Sequence, residues 1–334
     1  MIKVVQLQHA ELGRAVAIVE EPSLVLLNEY QTVYDAANAS IRSGRSLQGL
    51  FNSLRSEESI AYDPVYQGNS EWKILPCIDH PTDYHRCLLS GTGLTHKASA
   101  ENREKMHHAA EVGSMTDSMK MYMIGVEGGS PASGEIGAQP EWFYKGNGSL
   151  LRGHNDALEI PPYADDGGEE PEVAGLYICD SQGNPHRVGF ATSNEFSDHI
   201  MERKNYLYLA PSKLRSCSIG PELVIGADFS DVHGNVKVYR KDQSIWAKDI
   251  KSGQKNIVHT LENLEYHHFK YSNHRLPDMV HIHFMGADAF SFGEGIKLSH
   301  GDFMEVHWEG MGRPLRNTIL QSQEVESMIT IKQL

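Results

Sequence analysis

Beyond about residue 75 the chain is cut into short strand-like runs by glycine, proline, asparagine and aspartate, and this punctuation restricts its fold more than any other feature. Runs over 173–179, 223–227, 236–240, 279–285 and 303–308 have the character of strands, and 101–110 and 261–271 have that of helices. Strand and helix do not alternate regularly, so a doubly wound parallel sheet is disfavoured. The expected class is α+β, with a mainly β domain over 76–334. Residues 1–75 read as a smaller α/β unit. Runs at 2–7 and 15–20 look like strands joined by a turn at Gly13-Arg14. Residues 30–54 then place apolar side chains at 33, 36, 37, 41, 47, 50, 51 and 54, a helical spacing interrupted near Ser43-Gly44. That unit carries none of the acidic pairs found later, and is expected to pack and to support oligomer contacts.

Charge narrows the function. With 44 acidic against 30 basic residues the formal charge is −14, and phosphate backbones would be repelled. No run approaches the roughly 18–20 apolar residues that span a bilayer, and His9, Glu11 and Arg14 interrupt the start where a signal peptide would be continuously apolar. Cys77, Cys87, Cys179 and Cys217 lack CxxC spacing, so reduced thiols in a cytoplasmic protein are expected. A soluble enzyme or ligand-binding protein is left, without nucleic acid or membrane as partner.

The strongest local signal is the acidic segment 165–172 running into the strand at 173–179. In an extended chain Glu170 and Glu172 face the same way, and two such carboxylates repel unless a cation lies between them. Mg²⁺ or Mn²⁺ suits ligation by oxygen alone. A solvated acidic loop is the other reading of this segment. The turn-rich residues 180–184 suit a hairpin between 173–179 and 186–191, which would bring Glu195 back towards the pair. Lys213 follows, shortly before Gly220-Pro221, and upstream lie Gly91–His96 and Phe143–Ser149.

In this order the segments resemble the fumarylacetoacetate hydrolase family. The correspondence covers about residues 85–317: Gly91–His96, Phe143–Lys145, Glu170/Glu172, Asn194–Ser197, Lys213 ahead of Gly220-Pro221, Met285–Asp288 and Gly301-Asp302. The resemblance implies a β-roll catalytic domain, a homodimer or higher homo-oligomer, and a small-molecule 2-keto acid as substrate. It implies Glu170, Glu172 and Glu195 as ligands of Mg²⁺ or Mn²⁺, Lys213 beside the substrate's keto oxygen, and His96 at the mouth, with Glu101 or Glu104 as its partner carboxylate. Lys145, Ser149, Ser193, Asn194, Gly286 and Ala287 would contact substrate. Three departures stand out: Glu195 where the family has Asp, Thr92-Gly93 ahead of His96 in place of Asn-Tyr, and Met285-Gly286-Ala287-Asp288 in place of a Thr-Gly-Thr-Pro loop. The last removes hydroxyls that hold a substrate carboxylate, so the pocket is expected to serve something other than an acylpyruvate.

Chain length and these variants look like the family's sugar-acid subgroup. The function expected is therefore dehydration of a 2-keto-3-deoxypentonate to 2-oxoglutarate semialdehyde in pentose catabolism. Hydrolysis of a 2,4-diketo acid is the alternative, and a non-enzymatic sugar-acid sensor a second one. A dehydratase needs a base for the C3 proton and an acid for the departing C4 hydroxide. For Lys213 to be that base, its pKa would have to fall well below ~10.4. Other features are set aside: His267, His268, His274, His281 and His283 have no spacing that completes a zinc tetrahedron, 286–295 is glycine-rich without a phosphate-binding order, and Asp198 and His199 are expected to support the site or lie at the surface.

Overall fold

The computed structural model describes residues 1–107 and 116–334, and leaves the side chains of residues 102 and 105–107 undescribed. Among these residues the strands form two sheets. The larger has 13 strands and runs, in order, through Arg55–Ala61, Ser23–Leu27, Gly13–Glu20, Ile2–His9, Leu223–Ile225, Pro185–Asn194, Pro171–Cys179, Val280–Phe284, Cys87–Gly93 and Glu141–Asn147, with short strands beside this path. The smaller has five: Gln243–Ser252, Val232–Arg240, Phe303–Trp308, Leu315–Gln321 and Ala157–Ile160.

Most neighbours in the large sheet are antiparallel, but Val280–Phe284 lies parallel to Cys87–Gly93, a pairing that joins elements nearly two hundred residues apart. The expected hairpin is present. Pro171 pairs with Asn194 and Glu172 with Ser193, and a bulge at Leu176/Tyr177 shifts the register before the 180–184 turn. Every residue of Pro171–Cys179 is buried. One face of it adds Ala174, Leu176 and Ile178 to a core shared with Val4, Phe51 and Ile282, and Val173 joins a second core around Trp308 and Val236. A strand covered on both sides reads as a continuous apolar run, which is why it stood out in the sequence.

The 30–54 spacing resolves into two helices, Val33–Ser43 and Leu47–Ser53. The Thr32 side chain accepts from the Asp35 amide to start the first, and Gly44 at φ 66° ends it. Strand Ile2–His9 pairs with Leu223–Ile225, so residues 1–75 extend the large sheet outward. The helix expected at 101–110 starts earlier, as Lys97–His107, and 108–110 lie outside the described residues. All four cysteines are buried free thiols. No helix among the described residues is long and apolar enough to cross a membrane.

Candidate metal centre and the cavity beside it

The paired strands end where the acidic segment begins, and the backbone fixes the carboxylates there. The Glu195 amide donates to the Glu170 carbonyl at 2.9 Å, while the Asn194 Oδ1 accepts from the amides of Glu170 and Phe196, each at 3.2 Å. The Ser193 hydroxyl and the Trp308 indole both donate to the Glu172 carbonyl, at 2.9 and 2.8 Å. Carboxylate oxygens of Glu170, Glu172 and Glu195 then lie within 4.8 Å of one another, all three residues buried. Among the described residues this is the one group of His, Cys, Asp or Glu side chains with metal-binding geometry.

Two lysines reach into the cluster. The Lys213 ammonium donates to Glu170 Oε1 at 2.7 Å, Glu195 Oε2 at 2.7 Å and the Ser197 hydroxyl at 2.8 Å, so all three of its protons are engaged. Lys145 Nζ lies 2.7 Å from Glu195 Oε1 and donates to the Phe196 carbonyl. His199 Nε2 is 3.0 Å from Glu170 Oε1, and its ring stacks on Phe290 with centroids 4.7 Å apart. The Gly286 amide donates to Glu172 Oε2 at 2.6 Å.

Repulsion shows in the ionisation. Burial, then Glu195 and Glu170, push Glu172 well above the usual carboxylate range. Burial lifts Glu195 to about 7 against the pull of Lys145 and Lys213. Burial would raise Glu170 too, but Lys213 and His199 outweigh it and hold this carboxyl well below its ordinary value. Three oxygen donors that resist sharing negative charge are the donor set a hard divalent cation fits. Lys213 departs from the expectation for a base: burial works to lower its pKa, yet Glu170 and Glu195 hold it above the lysine range.

A narrow cavity opens beside the cluster. It is lined by Glu170, Glu172, Lys213, His199, Phe143, Phe290, Ala287, Gly93, Leu94, Ser99, Arg103 and Glu202. Of the expected residues Glu170, Glu172, Lys213 and Ala287 line it, Glu195 completes the cluster without lining it, and Lys145 and Gly286 contact Glu195 and Glu172. The fold does not bring the rest to the lining. Asn194 and Ser193 hold the backbone of Glu170 and Glu172 instead. Ser149 is exposed on the turn Gly148–Leu150. His96 is buried, with Nδ1 2.9 Å from the Thr95 hydroxyl and Asp288 and Lys251 as its polar neighbours, and the cavity lining does not include it. Glu101, 3.5 Å from Lys97, and Glu104 ride the same helix but also lie outside the lining. The reason is helical phase: from Lys97–His107 it is Ser99 and Arg103 that face the cavity.

Sequence reasoning missed Arg103 and Glu202. Arg103 Nε lies 2.6 Å from Glu202 Oε1, and its Nη1 donates to both oxygens of Glu141 at 2.8 and 2.9 Å. A signal for Glu202 existed. Asp198 caps the helix His199–Lys204 by accepting from the Met201 amide at 2.8 Å, so His199 and Glu202, three apart, share a helix face beside Glu195. The histidine cluster is buried and held by hydrogen bonds of its own. Trp142 donates to His268 Nδ1 at 3.2 Å, which leaves His268 Nε2 to donate to His281 Nδ1 at 3.0 Å.

No protein-family profile and no curated protein matches the sequence. Solved structures do. A 2-keto-3-deoxy-D-arabinonate dehydratase complexed with magnesium and 2,5-dioxopentanoate aligns with TM-score 0.70 at 18% identity, over 96% of this chain and 100% of that one. A 5-carboxymethyl-2-hydroxymuconate delta-isomerase from Mycobacterium smegmatis aligns with TM-score 0.57 at 15% identity, over 96% and 100%. A 2-hydroxyhepta-2,4-diene-1,7-dioate isomerase from Mycobacterium marinum aligns with TM-score 0.58 at 13% identity, over 97% and 100%. At such identities the likeness is one of fold, and the fold is the fumarylacetoacetate hydrolase-like one that the order of motifs implied.

Proposed function

We propose that the protein is a divalent-metal-dependent dehydratase of a 2-keto-3-deoxy sugar acid, a 2-keto-3-deoxypentonate. The observation that carries the reading is the cluster of Glu170, Glu172 and Glu195 around Lys213, beside a cavity that Glu170, Glu172 and Lys213 line. The neighbour bound to magnesium and 2,5-dioxopentanoate, the product such a dehydration gives, supports it. Glu170, Glu172 and Glu195 would hold Mg²⁺ or Mn²⁺, whose Lewis acidity polarises a 2-keto acid and makes its C3 proton removable.

The chain's own groups do the rest. His199 braces Glu170 and the Gly286 amide braces Glu172, so the carboxylates do not swing when ligand enters. Lys213, its ammonium 4.8 Å from the Phe143 ring centroid, presents fixed positive charge where the C2 oxygen gains negative charge. Phe143 and Phe290 keep the site dry, which strengthens that interaction. Loss of the C3 proton and of the C4 hydroxide removes one water and leaves a 5-hydroxy-2-oxo-3-enoate; loss of a C5 proton with protonation at C3, and then ketonisation of the C4=C5 enol by protonation at C4, gives 2-oxoglutarate semialdehyde. The test is product identity: 2-keto-3-deoxypentonate should yield a semialdehyde that a coupled dehydrogenase oxidises with NAD(P)⁺ reduction. Cleavage of a 2,4-diketo acid to pyruvate, with no dehydration, would reassign the protein as a hydrolase.

A further inference from the structure

We propose that Glu202, positioned by Arg103, selects ligands whose tail is neutral and hydroxylated over ligands that carry a second carboxylate, an inference that rests on the 2-keto-acid reading above. The metal-binding carboxylates and Lys213 account for the keto-acid end of a ligand. Among the described residues the remaining polar lining is Ser99, Arg103, His199 and Glu202. His199 is committed to Glu170. Arg103 is committed to Glu141 and Glu202, with side-chain exposures of 10%, 4% and 1% for the three. Glu141 stands outside the lining, so beyond Glu170 and Glu172 the one carboxylate that the described lining adds is Glu202.

Glu202 also keeps acceptor capacity. Arg103 Nε is 2.6 Å from its Oε1, yet without the alignment of a hydrogen bond, and among the described residues this buried oxygen has no hydrogen-bond partner. A buried acceptor in this state is satisfied by a hydroxyl donor and left worse off by anything that cannot donate. A ligand carboxylate placed there meets like charge in a site too narrow to screen it. The Ser99 hydroxyl on the same wall suits a polyol as well.

The test uses the Mg²⁺-loaded protein and two five-carbon acids that have no C4 hydroxyl and so cannot be dehydrated: 5-hydroxy-2-oxopentanoate and 2-oxoglutarate. Titration calorimetry, with pyruvate as control, reads their affinities. The wild-type protein should bind the hydroxy acid about tenfold or more tightly than 2-oxoglutarate, and E202Q should narrow the ratio below about threefold, chiefly by tightening 2-oxoglutarate. Near-equal affinities in the wild type, or a ratio that E202Q leaves unchanged, would overturn the proposal while pyruvate binding keeps the 2-keto-acid reading intact. If neither pyruvate nor either five-carbon acid binds, that reading falls and the proposal with it. Should E202Q fail to fold, the wild-type ratio decides alone.

Discussion

Each buried carboxylate in the cluster is tolerated only through a specific partner. Glu170 has Lys213 and His199, Glu195 has both lysines, and Glu172 has a single backbone amide. Glu172 therefore stands to gain most from a cation, and E172Q should cut Mg²⁺ affinity by about tenfold or more, since a neutral amide is a poor partner for a hard dication. Isothermal titration measures this directly. Lys213 has the opposite signature. It touches two of the carboxylates as a counter-charge, so K213M should leave one Mg²⁺ bound per chain while turnover falls about 10²–10³-fold, the usual cost of losing one charge-stabilising donor. Turnover within threefold of wild type in K213M would remove Lys213 from the mechanism.

The loop after Val280–Phe284 shows how backbone geometry serves the site. Gly286 adopts φ +94°, its amide holds Glu172, and a Cβ there would lie 2.0 Å from the Thr95 hydroxyl. G286A should lose about 1–3 kcal/mol of stability through strain and weaken Mg²⁺ binding as well, a pairing that thermal melts with and without metal would reveal. The strand itself carries His281 and His283, each pushed down to about 3, by burial first and then by neighbouring histidines. Their unfolded value is near 6.5, so below that pH the unfolded chain binds protons that the folded one refuses. The stabilisation is complete above about pH 6.5 and is lost progressively as pH falls towards about 3. Urea midpoints measured from pH 7.5 to 4.5 should decline over this window, and less steeply in H283N. The elements also explain what was legible. Glu170, Glu172 and Glu195 could be read because alternation and one hairpin place them, all within 26 residues. That His96 lies outside the cavity lining and Ser149 on an exposed turn could not be read, because motif order says nothing about which way a side chain leaves the end of a strand. Arg103 looks like any charged residue on a solvated helix until distant elements fold over it.

For the whole molecule, residues 1–75 supply strands at one end of the sheet whose inner strands Pro171–Cys179 and Pro185–Asn194 carry the glutamate cluster at their ends. Phe51 is fully buried in the core that backs Pro171–Cys179, far along the chain from any lining residue of the cavity. F51A should cost about 3–5 kcal/mol of stability, with turnover per folded molecule within twofold of wild type. A tenfold loss of turnover at native metal content would bring the N-terminal segment into the chemistry. The central claim is that three converging glutamates hold a divalent cation on which dehydration depends. The most direct measurement strips the protein with EDTA, titrates Mg²⁺ back, and follows 2-oxoglutarate semialdehyde formed from 2-keto-3-deoxypentonate at each addition. The prediction is no product without metal and a rise that saturates at one ion per chain. Full turnover in the stripped protein would contradict it.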